Sequence, residues 1–317
     1  MNFEIDIIVW LQNNRSSLLD SFFQFFTLFG EETVLILILG FIYWCYDKKQ
    51  GEVIGLTVFI SIAINSVLKV IINRSRPFLV DSRIENLKPS TSTSSSMPSG
   101  HTQTAATTYF SLSTLFKKNW LLITAIVITF FVALSRMYLG VHYLSDVLTG
   151  AALGILMAIY IPKLLKKIEN KRRFYILSII TINVVLLIVL IVSYIGNNSD
   201  SGVNAFTLFE TNENIFKMFG TMTGFLIAIN FEEKHVNFEN HKMLLKNIIR
   251  FVLGLAVIMA IRYLLSFIFD MIVDTDNLVQ GQGFKAILGL LLDYLRYATM
   301  LFIGIGVYPM LFKKINI

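Results

Sequence analysis

The feature that most constrains this chain is a succession of apolar stretches, each close to the length that crosses a bilayer. A helix needs about 20 apolar residues to span roughly 30 Å of hydrocarbon. Nine stretches approach this, at about 32–47, 52–72, 102–116, 119–136, 145–163, 174–196, 214–231, 249–273 and 284–312. The sixth is uncharged from Phe174 to Ser199. The others are shorter or carry charges, and singly each would also suit a buried helix of a soluble protein. Together they do not: with 15% charged residues and a mean hydropathy of +0.66, a chain of 317 residues lacks the polar surface to cover a soluble globule. The expected fold is all-α, a polytopic membrane helical bundle of about nine transmembrane helices.

Cytoplasmic connections carry the excess of Lys and Arg. Alternate connections hold Lys48 and Lys49; Lys117 and Lys118; Lys163, Lys166, Lys167, Lys171, Arg172 and Arg173; Lys234, Lys242, Lys246 and Arg250; and Lys313 and Lys314. The connection Gly196–Phe216 contains Asp200, Glu210 and Glu213 without a cation, and Asp270–Phe284 holds three Asp and none. These two face outward, which puts the N-terminus outside and the C-terminus in the cytoplasm. The formal charge of +6 is therefore mainly a topological signature, and nucleic acid is not an expected partner. Residues 1–28 interleave apolar and polar positions, as a helix lying in the membrane interface does, with a tenth, poorly marked span as the rival reading. The single Cys45 offers no intramolecular disulfide.

One outward connection breaks the charge rule. Between Asn73 and Gly100 stand Arg74, Arg76, Arg83 and Lys88, with Lys69 just inside the preceding helix. An anion is the expected cause. The topology brings three segments to this face: KVIINRSRP (Lys69–Pro77), PSGH (Pro98–His101) and SRMYLGVHYLSD (Ser135–Asp146). His142 and Asp146, four residues apart near a helix start, share a face, so the carboxylate can orient the imidazole for attack or proton transfer. His101 follows Ser99 and Gly100 where a helix begins, a place where backbone N–H groups bind anions. Lys69, Arg76 and Arg136 supply cations suited to phosphate oxygens. Each fragment taken alone also has a structural reading: a solvated Arg-Pro terminus, a helix cap, a His–Asp hydrogen bond. Two of the chain's four His lie here beside the out-of-place cations, which favours the functional reading.

The three segments resemble, without substitution, the signature K-x6-R-P, P-S-G-H and S-R-x5-H-x3-D of the type-2 phosphatidic acid phosphatase superfamily. That superfamily includes lipid phosphate phosphatases, undecaprenyl pyrophosphate phosphatases, glucose-6-phosphatase and vanadium haloperoxidases. The likeness covers about residues 30–165, and Gly30-Glu31-Glu32 is similar to a stretch of glucose-6-phosphatase. It implies a phosphatase with His142 as the nucleophile forming a phosphohistidine, Asp146 orienting it, and His101 as acid and then base. Lys69, Arg76, Ser99, Gly100 and Arg136 would bind the phosphate, with no metal or other cofactor. The implied substrate is a phospholipid or polyprenyl phosphate in the bilayer. Undecaprenyl pyrophosphate is preferred over phosphatidic acid, phosphatidylglycerol phosphate and sphingosine phosphate, with the site on the extracytoplasmic side of a bacterial plasma membrane. A soluble sugar phosphate and a non-enzymatic transporter are the alternatives.

The expected organisation is an interfacial segment at 1–28, a phosphatase core at 29–167 and four additional transmembrane helices at 168–317. In the last part, Arg262 and Asp293 count to similar depths and are expected to pair. The Ser/Thr run Ser90–Ser96 reads as a loop, with a lid or headgroup reader as the rival.

Overall fold

The computed structural model describes residues 2–92, 94–199 and 202–314. Thr93 of the Ser/Thr run and Asp200 of the acidic connection lie outside the described residues, as do the side chains of Glu32 and Lys313. The chain divides into two compact units, Met1–Tyr43 with Lys49–Lys167, and Trp44–Lys48 with Ile168–Ile317.

The first unit contains α1 (Asn2–Asn13), α2 (Ser17–Thr27), α3 (Glu32–Phe41), α4 (Lys48–Ile72), the single turn α5 (Pro77–Val80), α6 (Gly100–Phe116), α7 (Asn119–Tyr138) and α8 (Leu144–Lys166). Ser16 caps α2 by accepting from the Leu19 N–H at 3.3 Å, and Pro77 opens α5 after an extended Arg76. The interior element is α6, packed between α7 and α8. It buries Thr102, Gln103, Thr104, Thr107, Thr108 and Ser111. The hydroxyls of Thr102, Thr107 and Thr108 are tolerable inside because they find partners nearby. Thr107 and Thr108 donate to the carbonyls of Gln103 and Thr104, at 2.8 and 2.9 Å. Around it, α7 and α8 expose Ile123, Ile126, Phe130, Leu148 and Leu156. In α1, Ile5 and Ile8 pack against Ile84, Met137, Tyr143 and Val147, while Phe3 and Trp10 face outward.

In the second unit, α9 (Lys171–Gly196) leads through the hairpin β1 (Asn198–Ser199) and β2 (Gly202–Val203) into α10 (Ala205–His235), α11 (Leu244–Asp270) and α12 (Gly283–Leu301). A π turn over Phe302–Val307 then precedes α13 (Met310–Lys314). The strands pair antiparallel, Asn198 with Val203 and Ser199 with Gly202. Here α10 is the interior helix, packed against α12 and α9. The apolar face of α9 is exposed at Ile180, Val184, Leu187, Ile191 and Ile195, as for a helix against lipid. The segment Trp44–Lys48 belongs to this unit: Trp44 donates to the Gly304 carbonyl at 3.1 Å, and Lys48 reaches both carboxylate oxygens of buried Glu232 at 3.1 Å.

The architecture is all-helical apart from that hairpin, and fewer helices than the nine expected spans are by themselves long and apolar enough to cross a membrane. Six helices among the described residues are long and apolar enough to cross a membrane, or seven if one bent pair forms a single broken span. The six cover the expected stretches at 52–72, 119–136, 145–163, 174–196, 249–273 and 284–312. The stretch at 32–47 is divided between α3 and a π turn, and reaches spanning length only with Ser17–Gly30, across a bend of 51°. The other two lie in α6 and α10, which bury much of their length against neighbouring helices, polar side chains such as Thr107 and Asn212 included, and these lower the hydropathy.

Candidate active site

Two loops and the ends of four helices bring the expected residues together within the first unit. After α7, the chain turns at Gly140, whose φ of +74° suits a residue without a side chain. His142 follows, buried, ahead of the α8 start. Its Nδ1 lies 3.5 Å from Asp146 Oδ2 and its Nε2 lies 3.4 Å from Arg76 Nη1. Asp146 is fully buried, and its Oδ2 also accepts the Tyr143 N–H at 2.9 Å, so the carboxylate caps α8 and faces the imidazole at once. Burial pushes the His142 imidazole well below its usual titration range, and the positive charges of Arg136, Arg76 and Lys69 push the same way.

The PSGH segment reaches this point through backbone contacts. The Ser99 N–H donates to the Asp146 carbonyl at 3.0 Å, which fixes the start of α6 against the start of α8. A Cβ at Gly150 would stand 2.6 Å from the Ser99 carbonyl oxygen, so the two helices meet at a distance only glycine permits. Gly100 and His101 form the first helical turn, where N–H groups have no intrahelical acceptor. His101 Nε2 is buried and makes no hydrogen bond among the described residues.

The three cations arrive on separate elements. Arg76 donates from Nε to the Ser94 carbonyl at 2.6 Å and from Nη1 to the Val141 carbonyl at 2.9 Å. From the last turn of α4, Lys69 donates to the Ser95 carbonyl at 2.5 Å and the Ser94 hydroxyl at 3.2 Å. Arg136, fully buried near the end of α7, donates to the hydroxyls of Thr27 and Thr91 at 2.8 and 3.0 Å, and its Nε has no partner among the described residues. Thr91, Ser94 and Ser95 thus contact all three between them. A buried cluster of cations held by carbonyls and hydroxyls suits an incoming anion, because a charge left uncompensated inside a protein is costly.

The model of the PAP2 superfamily matches residues 53–170, and that of the PAP2 superfamily phosphatase transmembrane extension matches residues 216–317. Phosphatidylglycerophosphatase B of Bacillus subtilis (strain 168) is 34% identical over 149 residues, which are 44% of this chain and 70% of that relative. The chain belongs to the PAP2 superfamily. The undecaprenyl-diphosphatase of Sulfolobus acidocaldarius is 28% identical over 155 residues, 49% of this chain and 74% of the relative. A crystal structure of a transmembrane PAP2 type phosphatidylglycerolphosphate phosphatase from Bacillus subtilis covers 53% of this chain and 87% of its own, at 28% identity and a TM-score of 0.45. As a PAP2 member with apolar helices and a matching extension, the protein is an integral membrane phosphatase.

Arg74 stands outside the PAP2 signature, yet its Nη1 donates to Asp146 Oδ1 at 2.8 Å and to the Ser145 hydroxyl at 2.6 Å. Its only sequence signal is its place among the misplaced cations. A second missed feature is a buried polar ladder between α4 and α6. Asn65 donates to the Pro98 carbonyl at 3.3 Å and to Gln103 Oε1 at 2.9 Å, and Gln103 donates to the Ser61 carbonyl at 2.8 Å. It fixes PSGH relative to Lys69 on the same helix as Asn65. In the second unit, the expected pairing of Arg262 with Asp293 gives way to another. Asp293 contacts Arg296 on its own helix and Lys217 of α10 at 3.8 Å, Arg296 donates to Ser266 of α11 at 3.0 Å, and Arg262 is exposed. Counting residues inward gives depth but not the side of the helix, so it does not identify the partner.

Proposed function

We propose that this protein hydrolyses a lipid phosphate or diphosphate at the outer face of a bacterial plasma membrane, with undecaprenyl pyrophosphate the preferred substrate, through a phosphohistidine on His142. The observation that carries the reading is the arrangement around that ring: Nδ1 toward a buried carboxylate, Nε2 toward a cation, and a second buried histidine with an unpartnered nitrogen. The Nε2 lone pair attacks phosphorus as the P–O bond to the leaving group breaks, and His101 gives that oxygen a proton. His101 then takes a proton from water as the water oxygen bonds to phosphorus and the P–N bond breaks. Lys69, Arg76, Arg136 and the Ser99–Gly100 backbone hold the equatorial oxygens, since phosphoryl transfer depends chiefly on positioning and electrostatic stabilisation. These side chains take the role that metal ions fill in other phosphoryl-transfer enzymes.

The relatives' names support a lipid substrate, with phosphatidylglycerophosphate the rival headgroup. Nine crossings, with the N-terminus outside and α6 and α10 as interior spans, put the site at the outer leaflet, where the acyl or prenyl chain stays in lipid. The test is phosphate release in detergent, with chelator present, from undecaprenyl pyrophosphate, phosphatidylglycerophosphate, phosphatidic acid, sphingosine phosphate and glucose 6-phosphate. Lipid turnover that survives chelation and falls at least about 1000-fold in His142→Ala is expected. Undiminished turnover by His142→Ala would sink the mechanism, and preference for glucose 6-phosphate would favour the soluble alternative.

A further inference from the structure

The carboxylate that orients His142 is itself held from the far side. Asp146 Oδ2 faces the imidazole, while Oδ1 accepts from Arg74 Nη1 at 2.8 Å. The other arm of the guanidinium, Nη2, donates to Glu4 Oε2 at 2.8 Å. Glu4 Oε1 in turn accepts the Ser145 N–H at 2.7 Å, in the first turn of α8 and next to Asp146. The guanidinium lies 3.9 Å over the Tyr143 ring. Both ends of the fork and one face of its plane are occupied, so this Arg has little freedom to rotate. Burial opposes ionisation of Glu4, but hydrogen bonds from Ser145 and Arg74 outweigh it and hold the carboxyl below its usual range. Glu4 belongs to α1, whose Ile5 and Ile8 pack against Tyr143 and Val147 on either side of Asp146 in sequence.

We infer that Arg74 and Glu4 are positioning residues of the hydrolysis. A Glu4–Arg74–Asp146 chain beginning on α1 fixes the Asp146 carboxylate so that Oδ2 meets His142 Nδ1 and His142 Nε2 is left facing the phosphoryl group. This rests on His142 as the nucleophile. The N-terminal helix is then part of the catalytic apparatus rather than a membrane anchor alone. Partners that fix a histidine's tautomer in this way are worth roughly 10- to 100-fold at metal sites, and the same order is expected here.

The test uses the full chain in detergent with undecaprenyl pyrophosphate and phosphatidic acid. It compares wild type with His142→Ala, Glu4→Gln, Arg74→Lys, Arg74→Gln, the double variant Glu4→Gln/Arg74→Gln, and Asp6→Asn on the exposed side of α1. Glu4→Gln and Arg74→Gln should lower kcat by about 10- to 100-fold with KM changed by less than about twofold, the signature of a contribution to the chemical step alone. The double variant should be no worse than Arg74→Gln, because the two act as one unit. Arg74→Lys should recover part of the loss, and Asp6→Asn should match wild type. Values of kcat within about twofold of wild type in both Gln variants, or losses that multiply in the double variant, overturn the proposal while leaving the nucleophile intact. Undiminished turnover by His142→Ala, or a wild type inert on both lipids, removes the functional reading and this proposal with it. If Arg74→Gln fails to give a monodisperse protein, Glu4→Gln and Arg74→Lys decide the question on the same kcat and KM criteria.

Discussion

At the scale of single residues, His142 has a charge state set by its surroundings. The ring is buried among cations, with a backbone hydrogen bond at Ser96 favouring the proton, and the balance keeps the imidazole neutral where a free one, with a pKa of about 6.5, begins to protonate. In the unfolded chain the proton binds first. The stability contributed by a neutral His142 is therefore complete above about pH 6.5 and lost as pH falls below it, with a limiting slope of about 1.4 kcal/mol per pH unit. Thermal unfolding in detergent between pH 7.5 and 5.5 should show wild type losing stability relative to His142→Asn on acidification. Parallel curves would contradict the assignment. The same burial means that a fall in kcat/KM with an apparent pKa near 6.5 would not belong to the nucleophile, since that ratio reports the free enzyme.

At the scale of elements, the contact between α6 and α8 determines whether the PSGH turn reaches the His142 loop. Gly150→Ala would place a methyl 2.6 Å from the Ser99 carbonyl oxygen and 3.3 Å from the Gln103 nitrogen, both backbone atoms that cannot swing aside. The helices must separate, loosening the bond between Ser99 N–H and the Asp146 carbonyl. Overpacking of this kind costs about 1–3 kcal/mol, and a displacement near 1 Å at reacting groups costs on the order of 100-fold in rate. We expect kcat to fall by more than about tenfold in Gly150→Ala, with a modest drop in melting temperature; unchanged kcat would mean that the contact is not needed for the geometry. The pairing of His142 with Asp146 was legible in the sequence because spacing within one loop and helix start encodes it. Arg74, Asn65 and Gln103 were not, since their partners lie on other elements and nothing in the local pattern marks which face they present. The two interior helices were legible as helices but not as interior ones. Hydropathy averages around a helix, whereas Thr102, Thr107 and Ser111 in α6, or Asn212 in α10, show that protein covers them only once neighbours are in place.

At the scale of the whole molecule, the question left by those interior helices is the number of crossings, and parity answers it. Each unit is built around one polar-containing helix, α6 or α10, screened by more apolar ones. Between Ser90 and Lys167 lie α6, α7 and α8; between Lys167 and Lys242 lie α9 and α10; between Lys242 and Asp276 lies α11. If α6 crosses, Ser90 and Lys167 are on opposite sides, and if it does not they share one. If α10 crosses, Lys167 and Lys242 share a side, and if it does not they are opposed. The chain suits cysteine labelling because its single Cys45 is buried, while Ser90, Lys167, Lys242 and Asp276 are exposed. Single replacements of these four by Cys, in a Cys45→Ser background, should give Ser90→Cys and Asp276→Cys proteins that a membrane-impermeant maleimide labels on intact cells. Lys167→Cys and Lys242→Cys should label only after permeabilisation, as the clusters of Lys and Arg around them require. Labelling of Ser90→Cys and Lys167→Cys from the same side would remove α6 from the spans. The phosphate-binding turn would then no longer begin a helix that enters the membrane from outside, and the outer-leaflet site would have to be abandoned.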